Sequence, residues 1–150
     1  MDYRTLCQQA EAMLQEEPWY VSAMSNLSAL IMETMTELNW AGFYLMRDGQ
    51  LTVGPFQGKT ACIHIAPGKG VCGTAAAGDE PLVVPDVHLF PGHIACDGAS
   101  ASEIVIPIHR EGKVAGVLDM DSPVKNRFQQ EDREGLEAFV RILERWVKWE

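Results

Sequence analysis

Apolar residues recur at helical spacing at both ends of the chain. Between residues 2 and 16 they fall three or four positions apart, which predicts a helix with one buried stripe. Pro18 ends that pattern. A second helical pattern follows, whose apolar face consists of Tyr20, Met24, Leu27, Ile31, Met35 and Leu38. A closing helix is predicted from Gln130 onward, with Leu136, Phe139, Val140, Leu143 and Val147 on one face.

The middle of the chain changes to patterns typical of short strands. Strands are predicted at 40–46, 51–53, 60–65, 81–84, 104–108 and 114–120, with a short helix at 71–77 that stops at Gly78. Hairpin turns are predicted at Asp48-Gly49 and at Glu111-Gly112-Lys113. This order predicts an α+β fold with a central, mainly antiparallel sheet and the N- and C-terminal helices on one face. Residues 85–101 form a long connection without periodicity, which is typical of a functional loop.

Length and charge narrow the classes of function. The 150 residues suit one domain, residues 1–150, with a core that needs no disulfides. The net charge of −9 disfavours nucleic acid and anionic membranes as partners. The N-terminus does not resemble a signal sequence, and no apolar run is long enough to span a bilayer. We therefore expect a cytoplasmic protein that binds neither nucleic acid nor membrane.

Four cysteines are the first candidates for chemistry: Cys7, Cys62, Cys72 and Cys96. Cys7 lies on the apolar stripe of the first helix and is interpreted as a core residue. Cys96 lies in the long polar loop, where an exposed thiolate can act as a nucleophile. His93 and the loop amides are the nearby groups that could stabilise it. A zinc site built from Cys62-x-His64 and His93-x-x-Cys96 is the alternative, which the loose spacing disfavours.

Three carboxyl groups converge at the ends of two predicted strands. Asp119 and Asp121 share a strand face, and a hairpin centred on Gly112 places Glu103 opposite Asp121. Like charges so placed raise the pKa of at least one of them, which predicts a polar pocket beside the cysteine loop. Trp40 and Tyr44 lie four positions apart on one strand face and, taken alone, are typical of a core.

Six short segments carry a resemblance to a known family: NWAGFY (39–44), GPFQGK (54–59), GVCGTA (70–75), GHIACD (92–97), SEIV (102–105) and GVLD (116–119). In their order and spacing they resemble the GAF-domain free methionine-(R)-sulfoxide reductases. Cys62, Cys72 and Cys96 also follow one another at the family's intervals. The resemblance implies a single GAF-like domain that reduces free methionine sulfoxide.

The resemblance also implies a role for each site residue. Cys96 would attack the sulfoxide sulfur, and Cys62 would resolve the resulting sulfenic acid, with Cys72 as a possible alternate. The substrate pocket would be lined by Trp40, Tyr44, Glu103, Asp119 and Asp121. From the chemistry of clustered carboxyl groups, and not from the resemblance, we expect either Glu103 or Asp121 to protonate the sulfoxide oxygen.

A homodimer reduced by thioredoxin, without metal or cofactor, is the assembly that the resemblance implies. The main alternative is a GAF module that senses a small ligand without reacting with it. Such sensors usually carry an output domain, for which these residues leave no room. Asp97 after Cys96, where bilin-binding relatives have His, disfavours a light sensor.

Overall fold

The computed structural model describes residues 1–93, 96 and 98–150. These residues form, in chain order, α1 (Tyr3–Glu16), α2 (Tyr20–Thr34), β1 (Trp40–Arg47), β2 (Gln50–Gly58), β3 (His64–Ile65), α3 (Gly70–Gly78), β4 (Leu82–Val84), a 3-10 turn (Val87–Leu89), β5 (Ser102–Arg110), β6 (Lys113–Ser122) and α4 (Gln130–Trp146). In this part of the chain, no helix combines the length and apolar character needed to cross a membrane.

One antiparallel sheet joins the six strands in the order β3-β2-β1-β6-β5-β4. The two predicted hairpins are confirmed. Their turn residues, Asp48-Gly49 and Glu111-Gly112, all have positive φ, between 52° and 80°, which is the conformation that a tight two-residue hairpin requires. The predicted α+β fold with a mainly antiparallel sheet is therefore correct.

The sheet separates two apolar clusters, because side chains alternate between its faces. On one face, α2 and α4 cover residues such as Phe43, Ile106 and Leu118, and α1 packs against both helices. The terminal helices thus share one face, as predicted. The other face carries Tyr44, Val105 and Val117 and is covered by α3 and the adjoining connections. Every candidate acid also points to this second face.

Three boundaries differ from the sequence predictions. The second helix ends at Thr34 and not near Leu38, because Met35 is extended and Glu37 turns the chain with φ 59°. The third strand is only His64–Ile65, because its pairing with β2 covers two residues. Cys62 therefore lies outside the strand that was predicted at 60–65. The closing helix ends at Trp146, one residue before Val147.

A glycine allows β1 and β2 to approach at their bulge. A Cβ added at Gly42 would lie 2.7 Å from the Cα of Phe56 and 2.9 Å from the carbonyl oxygen of Pro55. Both are backbone atoms, so one strand would have to move. We expect Gly42→Ala to lower the free energy of unfolding by about 1–3 kcal/mol, measured by urea denaturation. Gly78→Ala, at a helical position with open space, is the control and should not destabilise the protein.

Candidate active site

The β5–β6 hairpin sets the positions of the three carboxyl groups. Its two-residue turn pairs Arg110 with Lys113, and this register alone would place Glu103 opposite Met120. A bulge between Ile108 and His109 shifts the register by one residue, so Glu103 pairs with Asp121. The pairing predicted from the sequence is confirmed, and the bulge is the feature that makes it so.

A cleft on the α3 side of the sheet contains these acids. Its lining includes the predicted residues Trp40, Tyr44, Cys72, Cys96, Glu103, Asp119 and Asp121, together with His93, Ser100 and the segments 60–61 and 69–71. Residues far apart in the sequence therefore meet in one place. The cavity volume is about 50 Å³, which is room for a few water molecules.

A disulfide joins Cys62 to Cys96 at this cleft, across a Cα–Cα distance of 5.6 Å. Cys62 lies between β2 and β3, and Cys96 lies between β4 and β5. In this disulfide form, both sulfur ligands of the alternative zinc site are bonded to each other and cannot bind the metal. His64 is exposed and faces the hydroxyl of Thr52, 3.5 Å away. Cys7 and Cys72 are free thiols.

The two aromatic residues support the Cys62 segment, a role that the sequence analysis missed. Trp40 stacks against Tyr44 and Phe56, with ring centroids 5.8 and 5.0 Å apart. The Trp40 indole N–H donates to the carbonyl of Lys59 at 3.1 Å, and the Tyr44 hydroxyl donates to the carbonyl of Cys62 at 3.0 Å. Burial, then the charge of Asp119, raises the pKa of Tyr44, so its hydroxyl remains a donor.

Burial dominates the electrostatics of the acid cluster. It raises the pKa of Glu103 well above its ordinary value, and the charges of Asp119 and Asp121 raise it further. The pKa of the Cys72 thiol is likewise raised well above its ordinary value, by burial and then by Asp119 and Glu103. Burial raises the pKa of Asp119 as well, but hydrogen bonds from Glu103 and Cys72 oppose that rise. Of these three groups, Glu103 and Cys72 thus hold their protons most strongly, and Asp119 ionises most readily.

The cluster contains a hydrogen bond between its side chains and a carboxylate oxygen without a donor among the described residues. The Cys72 thiol donates to Oε2 of Glu103 at 3.8 Å. Oδ1 of Asp119 is buried and meets no donor within the described part of the chain. A buried acceptor without a partner is costly, and a donor group on a bound ligand would satisfy it.

One set of side chains could in principle coordinate a metal. Cys72, Glu103 and Asp119 each place a ligand atom within 4.8 Å of the others. Metal binding would require the Cys72 and Glu103 protons to leave, and burial opposes that loss. We interpret the three groups as a proton-sharing cluster.

The Cys96 loop is anchored at both ends. The Val87 N–H donates to the carbonyl of Ala101 at 2.9 Å, and the Asn39 side chain donates to the Ser100 hydroxyl at 3.1 Å. Three residues of the motif 92–97 lie outside the described residues: Ile94, Ala95 and Asp97. Asp97 is the residue whose identity disfavours a bilin-binding site. Burial lowers the pKa of His93, which favours its neutral form.

Known proteins resemble the chain over nearly its whole length. Residues 22–145 match the GAF domain family model. The free methionine-R-sulfoxide reductase of Escherichia coli is 48% identical over 143 residues, which cover 95% of this chain and 87% of the relative. Protein YtsP of Bacillus subtilis is 52% identical over 146 residues, covering 96% and 90%. The solved structure of fRMsr of Staphylococcus aureus in complex with substrate is 47% identical, with a TM-score of 0.94 and coverage of 99% and 97%.

Proposed function

This chain belongs to the GAF domain family, together with the free methionine-R-sulfoxide reductases, and we propose that it reduces free methionine-R-sulfoxide to methionine. The observation that carries the proposal is the Cys62–Cys96 disulfide beside a buried, proton-holding acid cluster. A cysteine that removes oxygen from sulfur ends its cycle in such a bond. A cleft that only binds a ligand needs neither the disulfide nor the proton.

The first step is attack on the sulfoxide by Cys96. In the reduced protein its thiolate bonds to the substrate sulfur, and the sulfur–oxygen bond of the substrate breaks. The oxygen must accept a proton as it leaves that sulfur, because an oxide anion is a poor leaving group. Glu103 supplies the proton, because its raised pKa keeps it protonated near neutral pH. The oxygen leaves as hydroxide, which then bonds to Sγ of Cys96 while the bond between Sγ and the substrate sulfur breaks. Methionine is released with that electron pair, and Cys96 is left as a sulfenic acid.

The polar groups of the cleft match a free amino acid. The buried Oδ1 of Asp119 accepts from the substrate ammonium group, which satisfies that oxygen. The N-terminal turn of α3 also lines the cleft, and its N-cap residue Lys69 makes no side-chain capping bond. The free N–H groups of this turn and the Lys69 ammonium donate to the substrate carboxylate. Trp40 and Tyr44 enclose the methyl end.

The second step regenerates the thiols. The Cys62 thiol attacks the Cys96 sulfenic acid, a sulfur–sulfur bond forms, and water is released. Thioredoxin then reduces the disulfide by thiol exchange. The disulfide form, with its 50 Å³ cavity, is the product of the second step and must open before substrate binds. Assembly as a homodimer remains a prediction from the family resemblance.

A coupled assay tests the proposal directly. We expect NADPH oxidation through thioredoxin reductase and thioredoxin with free methionine-R-sulfoxide. The S epimer and a peptide-bound sulfoxide should give at most about one hundredth of that rate, because buried polar groups left unpaired by a wrong substrate strongly reduce turnover. Equal rates on all three would contradict the free-amino-acid site. No turnover with any sulfoxide, with either thioredoxin or dithiothreitol, would favour a ligand sensor.

A further inference from the structure

Exposed apolar side chains flank the disulfide in both segments that carry it. Ile63, next to Cys62, is 60% exposed, and Leu89, in the connection that leads to Cys96, is 80% exposed. They are the two most exposed large apolar residues among those the structure describes. Phe90, the chain neighbour of Leu89, packs in the same apolar cluster as Cys62, on the α3 side of the sheet.

The segment around Cys62 is basic in an acidic protein. The segment Lys59 to Lys69 contains two lysines and a histidine and no carboxyl group, whereas the chain has 21 acidic and 12 basic residues. Lys59 is exposed. Exposed apolar residues rimmed by charge of one sign are typical of a surface that binds a protein of the opposite sign.

We propose that Ile63, Leu89 and Lys59 form the docking surface for an acidic dithiol protein that reduces the Cys62–Cys96 disulfide. This inference rests on the proposed function, which requires the disulfide to be reduced in every cycle. A small thiol can reach a half-buried disulfide without a specific surface. A protein dithiol must align its own sulfur with the sulfur–sulfur axis, so contacts around the bond increase its rate.

The dithiol alone supplies the two electrons and two protons that thiol exchange at this surface requires. A thiolate of the reductant attacks Sγ of Cys62, the bond to Cys96 breaks, and Cys96 leaves as a thiolate that takes up a proton. The second thiol of the reductant attacks the mixed disulfide and releases Cys62. Two electrons and two protons pass to this chain, and the reductant ends as an internal disulfide.

Charge and apolar variants test the surface with two reductants. We expect Ile63→Asp, Leu89→Asp and Lys59→Glu each to lower the second-order rate constant with purified thioredoxin about tenfold. The rate with dithiothreitol and the KM for the sulfoxide should stay unchanged, which also shows that the variants fold. Trp19→Asp removes an exposed apolar side chain from the α1–α2 connection and is the matched control. Added salt should slow wild type more than Lys59→Glu.

A measurement without sulfoxide separates the two proposals. The oxidised protein is mixed with reduced thioredoxin, and thiols released from the Cys62–Cys96 pair are counted with time. Slower release in the three variants than in wild type and Trp19→Asp supports the surface, whether or not any sulfoxide turns over. Equal release in all five proteins overturns it.

Discussion

Replacing Cys96 with serine is expected to abolish methionine sulfoxide reduction, by at least about 10³-fold in kcat. A serine hydroxyl is almost fully protonated near neutral pH and is a far weaker nucleophile towards sulfur than a thiolate. The substitution also prevents the bond to Cys62. The rate is measured as methionine formed, by amino-acid chromatography. Dithiothreitol serves as the reductant, so the rate does not depend on thioredoxin.

Two other cysteine variants are the matched controls. Cys62→Ser retains the nucleophile, so it should form about one methionine per chain in the absence of reductant, and dimedone should label its Cys96 sulfenic acid. Cys72→Ser retains a donor towards Glu103 and should keep turning over. If Cys96→Ser instead kept its turnover and Cys72→Ser lost it, the nucleophile would be Cys72.

The sequence predicted those features of the fold that depend on periodicity and turns. The helical stripes of α1 and α4, the hairpins at Asp48-Gly49 and Glu111-Gly112 and the shared face of the acids all follow from local spacing. The end of the second helix was predicted wrongly, because the spacing of apolar residues does not show where that helix stops. The apolar pattern continues to Leu38, but Glu37 adopts a left-handed conformation that ends the helix earlier.

Part of the site could not be predicted from one sequence because it depends on contacts between distant segments. Nothing local indicates that Tyr44 donates to the carbonyl of Cys62 or that Trp40 donates to that of Lys59. The Glu103–Asp121 pairing was predicted from a hairpin centre at Gly112. It holds only because the bulge between Ile108 and His109 corrects the register of the two-residue turn. The burial of Glu103 and Asp119, which raises their pKa values, likewise depends on the packing of α3 on the sheet.

Glu103→Gln is expected to lower kcat about 10²–10⁴-fold, the usual contribution of a general acid. Glutamine keeps the size and can donate a hydrogen bond, but it has no proton to transfer to the sulfoxide oxygen. In wild type the reaction needs protonated Glu103, so the rate should fall as pH rises through the raised pKa of that group. This alkaline decline should be absent from the kcat profile of Glu103→Gln.

The same substitution should stabilise the fold, because burial raises the pKa of Glu103 above its unfolded value. Above the unfolded pKa, the folded state binds more protons at this group than the unfolded state, so its contribution to stability falls as pH rises. Neutral glutamine avoids that loss. Urea denaturation should therefore give Glu103→Gln a higher free energy of unfolding than wild type at pH 7, and the difference should shrink towards pH 4.5. A catalytic acid held protonated by burial predicts lower activity together with higher stability, whereas a merely structural Glu103 predicts that both decrease.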